Sequence, residues 1–484
     1  MVVSAVAIGL AVVVAAPLAG AKPSDWTTYH HDNQRSSDAV LATGKTFSSL
    51  KAAWIWHVPQ GLSNQNLYGE PLIANGVVYV ASNSNWVYAI SASTGRTLWQ
   101  RQVGGPPEDT AGNGICGDVQ TSQQPSIGIV STPVIDLSRN ELYVVAAVAH
   151  DASHRLPTRT LVGLDLTSGA VELKRVVEPQ PASPNPYLLQ RVALAEVDNQ
   201  IVIGFGGNDG DCGDYHGWLV STAADNSSTV VHRYEVSSDK RNPGDDGGAI
   251  WMGGGAPTID PSHNLLVASG NNDWGQDCPS GTGAPYDDSD SLLSLSPTMT
   301  LLDWFVPSSF GYDNCHDLDL GSGAPQLLES GLVLQIGKTH IGYLLHADDL
   351  GHANAPAGSF TVCADGQDNG AAAVISQSAT QSVLAVPCSG GLEEVTVTAS
   401  PTIGGTVGWS DNPTGPPILA EDDLFAIQQS RTNSTLEEIA PNGTVLRQRS
   451  IGPATNHFES PAAGDGILVA AGSSTVYAIR PTAG

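Results

Sequence analysis

The stretch GEPLIANGVVYVASNSNWVYAISASTGRTLWQRQVG, Gly69–Gly104, decides the fold. It reads as four short strands: a small-residue/Pro strand, an alternating VVYVAS strand, a WVYAIS strand, and a Thr-Gly turn into TLWQRQV. A sheet this small cannot bury both of its faces alone, so it must pack against similar neighbours. Weaker copies start near Gly69, Ser131, Gln190, Gly247, Asp317, Asn369, Thr414 and Phe458. The last copy ends at Gly484 after three strands. An orphan strand, LKAAWIWHVP (Leu50–Pro59), precedes the first copy and can supply the missing fourth. The expectation is an all-β, eight-bladed β-propeller of four-stranded antiparallel blades, its ring closed by strands from both termini. Seven blades is the nearest alternative.

Composition agrees. With 53 Gly, 31 Pro and only 14% charged residues, the chain is rich in turns and shows no long 3.6-period stretch. Its 484 residues would ordinarily suggest several domains. A propeller is the exception, because its core is a circle of inter-blade cores. Residues 1–21, MVVSAVAIGLAVVVAAPLAGA, read as a secretory signal ending in an A-x-A-type site, although no Lys or Arg precedes the apolar run. The competing reading is an N-terminal membrane anchor. Residues 22–484 are then one propeller domain, secreted and without membrane insertion once the signal is cleaved.

Six cysteines fit an oxidising compartment. None forms CxxC or CxxCH, which argues against a zinc ribbon and an attached haem. The pairings expected are Cys363–Cys388, Cys278–Cys315 and Cys116–Cys212. A net charge of −28 argues against nucleic acid and anionic membranes as partners. Acids concentrate in GNDGDCGDYHG (207–217) and YDDSDS (286–291). For the second stretch, solvated loop carboxylates are the expected state.

Chemistry in a propeller sits on the loops at a channel mouth. The informative strings are IVIGFGGNDGDCGDYHGWLVS (201–221), GGAIWMGGGAP (247–257), LLVASGNNDWGQDC (265–278), DNCHDLDLGSGAP (313–325) and LQIGKTHIGYLL (334–345). In most of them a strand ends in Gly-Gly or Gly-Asn, where backbone can approach a ligand closely. Asp211, Asn271, Asp317 and Asp319 would converge as oxygen donors for a hard cation such as Ca²⁺. Lys338 suits an anionic or carbonyl-rich ligand, and Trp251 offers a flat floor for a ring.

The VYAISASTG-RTLW pattern resembles the pyrroloquinoline quinone (PQQ) repeat of quinoprotein alcohol dehydrogenases, which cofactor-free propellers also use. DWTTYHHDNQRSS (25–37) resembles the strand that opens such chains. The stretch 190–351, with YHGW, GGxxWMGGGAP, DLDLGSG and a GK-to-YLL pattern, is similar to a secreted bacterial and fungal subgroup. The resemblance implies a PQQ floor at Trp251, a Ca²⁺ ligand at Asn271 20 residues later, and a catalytic acid at Asp319 or Asp317, beside His316. It further implies that Lys338 lies near the quinone oxygens, with metal ligands Asp211, Asn271 and Asp319. The chain departs from the pattern in having no adjacent Cys-Cys pair and no obvious glutamate ligand.

Three readings follow. The first is a PQQ- and Ca²⁺-dependent dehydrogenase acting on an alcohol or sugar hydroxyl, passing electrons to an acceptor that is not bound. The second is a binding or scaffold propeller without cofactor. In that case Trp251 packs between blades, Asp319 caps a turn, Asn271 takes a left-handed turn position and Lys338 neutralises nearby acids. The third is a PQQ-independent lyase, hydrolase or cyclase that uses the same acidic cavity with His216, His316 and His340.

Overall fold

The computed structural model describes residues 25–483, apart from 42–44, 60–64, 106, 110–125, 150–156, 182–184, 209–212, 214, 238–245, 274–285, 354–355, 365–369, 412–414, 431 and 454–457. The expected signal sequence, Cys116, Asp211, Cys212 and Cys278 therefore lie outside the described residues.

Blade one is Leu72–Ala74, Val77–Ala81, Trp86–Ser91 and Thr97–Gln102, paired in that order. Asn75 (φ 52°) and Gly76 (φ 78°) make the first hairpin turn. Left-handed residues at both central positions match the right-handed twist of the strands they join. The next six blades span 134–176, 195–235, 258–306, 326–361, 373–411 and 418–452. Blade eight takes three strands from the C-terminal end (Ala462–Gly464, Ile467–Gly472, Thr475–Ile479) and its outer strand, Ala52–His57, from the N-terminal end. Trp56 faces Val476 and His57 faces Thr475 in that antiparallel pairing, so the ring closes as expected.

The core is continuous around the circle. One apolar cluster links blades seven, eight, one and two, another links two and three, a third spans three to five, and two more complete the turn through blades five to seven. Each buried Val, Leu, Ile or Phe in these interfaces contributes roughly 1.5–3 kcal/mol. The outer strands carry the solvent face: Thr97–Gln102 is mostly exposed.

The segment 25–41 is more than an opening strand. It runs along the inner strands and bonds to every blade. Trp26 N donates to Ile73 O (2.6 Å), Ile135 N to Thr27 O (2.8 Å), and Ile259 N to Asn33 O (2.8 Å). Thr28 reaches Leu194 O, Gln34 O accepts from Gln326, Ser37 reaches Ala372 O, and Ser460 bonds His30 Nε2. Leu419 N donates to Ser37 O (2.8 Å), beside a short parallel pairing of Asp38–Ala39 with blade seven. His30, His31, Arg35 and Ser37 all hold positive φ. Non-glycine residues keep such conformations only where their surroundings over-determine them. Here Arg35, fully buried, donates to Pro257 O, Tyr29 O, Asp32 O and the Thr28 hydroxyl. Glu70 is buried in the same hub. Its Oε1 accepts from Trp26 Nε1 (2.5 Å) and His30 N (3.0 Å). Burial pushes the Glu70 carboxyl up to about 8 and, with Arg35 beside it, the His30 imidazole down to about 3.

Cys363 and Cys388 form the expected disulfide, with Cα atoms 5.1 Å apart, joining blades five and six. Cys315 is also disulfide-bonded. Among the described residues no helix is long and apolar enough to cross a membrane.

Candidate functional site

Antiparallel alternation within a blade sends two sets of connections to the same face of the ring. These are the loops entering the innermost strand and the turns between the second and third strands. Trp251 lies on the loop entering blade four, and Asn271 lies between that blade's second and third strands. Asp317 and Asp319 lie on the loop entering blade five, with Lys338 in its second-to-third turn. The topology therefore places all five on one face, as the sequence reading requires.

Three of them are brought into direct contact with Asp319, whose side chain is 1% exposed, or with its partner. Asp319 Oδ1 accepts from Asn271 N at 2.8 Å, and its Oδ2 lies 2.6 Å from Lys338 Nζ. The same ammonium lies 2.6 Å from Asp317 Oδ1, whose side chain is 69% exposed. Lys338 N also donates to Asp319 O at 2.9 Å. The result is an ion chain running from a buried carboxylate through an ammonium to a solvent-facing carboxylate. Burial works against the lysine's charge, but Asp319 and Asp317 together more than offset it and hold the ammonium above its ordinary range.

The local turn readings do not describe these residues. Asp319 precedes the short turn Leu320–Ser322 without capping it; its carboxylate reaches into the neighbouring blade instead. Asn271 is not among the left-handed residues. Gly270 is what permits the approach, because a Cβ there would overlap Asp319 Oδ1. Lys338 does neutralise nearby acids, as the scaffold reading expects.

Trp251 is half-buried and follows a segment tied to the Asn271 loop. Gly248 N donates to Asn271 O (2.7 Å), and Gly270 N to Ala249 O (2.8 Å). Its indole lies on Gly206, where any Cβ would overlap the ring, and its Nε1 donates to Gly207 O at 3.3 Å. His316 is exposed and stacked on Tyr312 with ring centroids 3.8 Å apart, and its Nδ1 bonds Tyr312 O. No bond from His316 to Asp317, Asp319 or Lys338 occurs among the described residues. Asp211, the further metal ligand expected, lies outside them.

One expectation is overturned. YDDSDS is not a solvated loop: Ser289, Asp290 and Ser291 are fully buried. Asp287 binds Asn272 Nδ2 through Oδ2 and accepts from Ser289 N and Oγ through Oδ1. Asp290 Oδ1 accepts from Leu320 N at 2.9 Å. Burial first, then the charge of Asp319, holds the Asp290 carboxyl well above the usual carboxylate range. Acidic residue types default to the surface, so the sequence carried no signal for this burial.

Fold and site together define an eight-bladed propeller with an oxygen-rich, lysine-bearing site on one face. Residues 26–179 match the family described as the glucose/ethanol/alcohol dehydrogenase β-propeller domain of PQQ enzymes. The chain is 24% identical over 305 residues to a polyvinylalcohol dehydrogenase of Sphingopyxis sp. strain 113P3, covering 58% of this chain and 38% of that one. It is 32% identical over 102 residues to the dehydrogenase subunit of a quinone alcohol dehydrogenase of Gluconobacter oxydans, covering 21% and 13%. The chain thus spans well under half the length of these curated relatives. Its fold is similar to a quinohemoprotein alcohol dehydrogenase from Comamonas testosteroni, with TM-score 0.65, 14% identity, and coverage of 95% of this chain and 81% of that one. It is similar also to a europium-containing methanol dehydrogenase, with TM-score 0.64, 13% identity, and coverage of 93% and 91%. Residues 26–179 thus match a PQQ-type propeller model, stretches of the chain are homologous to the polyvinylalcohol and quinoprotein alcohol dehydrogenases, and the eight-bladed fold is shared with the solved quinoprotein enzymes.

Proposed function

We propose that the chain is a secreted oxidoreductase that uses PQQ and Ca²⁺ to oxidise an alcohol or sugar hydroxyl on this face of the ring. The observation that carries the reading is the buried Asp319 carboxylate, held between Asn271 N and Lys338 Nζ in a propeller of the quinoprotein kind. The donor chemistry fits the cofactors. The Asn271 amide oxygen and the Asp319 carboxylate are hard donors of the type Ca²⁺ takes, with Asp211 as the further ligand. An ammonium has three N–H donors. Lys338 turns towards two carboxylates, which leaves a third donor for a quinone oxygen. When bound, the quinone supplies the two-electron acceptor and the metal supplies Lewis acidity.

The chain's own residues do the rest. Asp319 accepts the substrate hydroxyl proton as general base, and Asp317, exposed at the far side of Lys338, links that position to solvent. Lys338 stabilises negative charge developing on the acceptor oxygen. Trp251, packed against Gly206 on the same face of the ring, is assigned the apolar flank of the site. His316 is retained as an outer acid–base group beside Asp317. The disulfides support secretion.

The test is a titration of purified protein with PQQ, with and without Ca²⁺, followed by quinone absorbance. Calcium-dependent binding that is lost in Asn271→Ala at unchanged melting temperature, and in Lys338→Ala protein that is still folded by circular dichroism, supports the reading. No calcium-dependent binding by the wild type removes it, and leaves the cofactor-free scaffold or the PQQ-independent enzyme.

A further inference from the structure

The acidic loop 286–291, half-buried at 286–288 and fully buried at 289–291, touches the site on two sides. Asp290 N donates to Gly270 O at 2.8 Å, one residue before the Asn271 amide that binds Asp319. Asp290 Oδ1 accepts from Leu320 N at 2.9 Å, one residue after Asp319 itself. A single residue therefore spans the two segments that hold the Asp319 carboxylate. The rest of the loop is anchored to match. Ser269 Oγ donates to Asp288 O (2.6 Å), and Ser291 N donates back to Ser269 Oγ (3.0 Å). Asp287 holds Asn272 Nδ2, while Asn314 bonds both Asn272 N and Ser289 Oγ. Asp290 also sits at φ 45°, a strained conformation for a residue with a side chain.

A fully buried Asp290 beside half-buried Asp287 and Asp288 has no rationale as surface charge. Asp290 Oδ2 is buried with no hydrogen-bond partner among the described residues. An ionised oxygen in that position would be costly, whereas a neutral carboxyl can keep Oδ1 as an acceptor. The upward shift from burial, with Asp319, Asp313 and Asp287 around it, agrees.

We propose that Asp290 is a positioning residue that sets the Asp319 carboxylate between Asn271 N and Lys338. It acts as an acceptor and backbone clamp, and an amide side chain can replace it. The geometric part stands on the contacts alone; its consequence for cofactor binding rests on the function proposed above.

The experiment compares wild type, Asp290→Asn and Asp290→Ala by amide hydrogen exchange with mass spectrometry, and by PQQ titration in the presence of Ca²⁺. Losing the Leu320 clamp is expected to raise exchange at the Asn271 and Leu320 amides roughly tenfold in Asp290→Ala, while blade one exchanges as before. Asp290→Asn, which keeps the acceptor, is expected to exchange as the wild type does. Calcium-dependent quinone affinity is expected to fall roughly tenfold in Asp290→Ala and to be restored in Asp290→Asn. Should Asp290→Ala not fold, Asp290→Ser takes its place, because its hydroxyl is too short to reach Leu320 N. Unchanged exchange in the truncated variant, or equal loosening in Asp290→Asn, overturns the proposal. Wild-type protein that binds no quinone, while the exchange pattern holds, rejects the cofactor reading and leaves the positioning role intact.

Discussion

Glu70→Gln is expected to make the protein more stable at neutral pH, and the reason lies in the hub. Glu70 is fully buried, and its carboxyl is raised from an ordinary 4.5 to about 8. Between those values the unfolded chain ionises this group while the folded chain keeps it protonated. The unfolded state therefore gains as pH rises: the favourable contribution is complete below 4.5 and is lost progressively up to about 8. Each pH unit in that window removes about 1.4 kcal/mol, so at pH 7 the loss is on the order of 3 kcal/mol. A glutamine keeps an Oε1 acceptor for Trp26 Nε1 and His30 N, and it does not titrate. Its amide must replace Oε2, which meets no hydrogen-bond criterion among the described residues although His30 Nε2 lies 3.9 Å away, at a cost of about 1 kcal/mol. The net expectation is a gain of roughly 2 kcal/mol at pH 7, turning into a small loss at pH 4. His30, lowered to about 3, contributes stability present above 6.5 and lost as pH falls towards 3, the opposite trend. That contribution is common to both proteins and cancels in their difference. Guanidinium unfolding of the pair at pH 4, 6 and 8 reads it directly. A difference that stays constant with pH, or a variant less stable at pH 8 than at pH 4 relative to wild type, refutes the reasoning.

Gly270→Ala is expected to displace the Asp319 carboxylate, because the added methyl overlaps Oδ1; calcium-dependent quinone binding should fall at least tenfold while the fold survives by circular dichroism. Asp319→Asn leaves Lys338 without its buried partner, and a loss of about 3 kcal/mol in unfolding free energy is expected from denaturant titration. Removing the disulfide with Cys363→Ser and Cys388→Ser opens a link between residues 25 apart, and should cost roughly 3 kcal/mol in the same assay. Trp56→Ala, in the N-terminal strand that closes blade eight, removes a 6%-exposed ring and its bond to Thr97; calorimetry should show a loss of about 3–5 kcal/mol.

The propeller was legible in the chain because each blade repeats a local code. The Asn75-Gly76 turn, the period-two alternation of Val77–Ala81 and the Thr-Gly turn act within a few residues of one another. The three-strand final copy and the orphan strand at Ala52–His57 were complementary in the same way. The candidate site was legible in its members and their order, but not in its contacts. Asn271 and Asp319 are 48 residues apart, and only the meeting of blades four and five shows that one's amide holds the other's carboxylate. Segment 25–41 gave no strong pattern, since its conformation depends on bonds to all the blades rather than on local alternation. YDDSDS misled in the opposite direction: its residue types favour solvent, yet the fold encloses Ser289, Asp290 and Ser291.

What the amino-acid order determined by itself is the toroid: turn chemistry and apolar alternation are short-range effects, and a repeated small sheet can bury its faces only against its own kind. What the tertiary structure alone decided is the state of the acids. Asp317 meets water, Asp319 is paired, and Asp290 and Glu70 are driven towards the neutral form. A carboxyl's desolvation and its partners are set by atoms from other blades, so identical side chains acquire different chemistry according to where the ring places them.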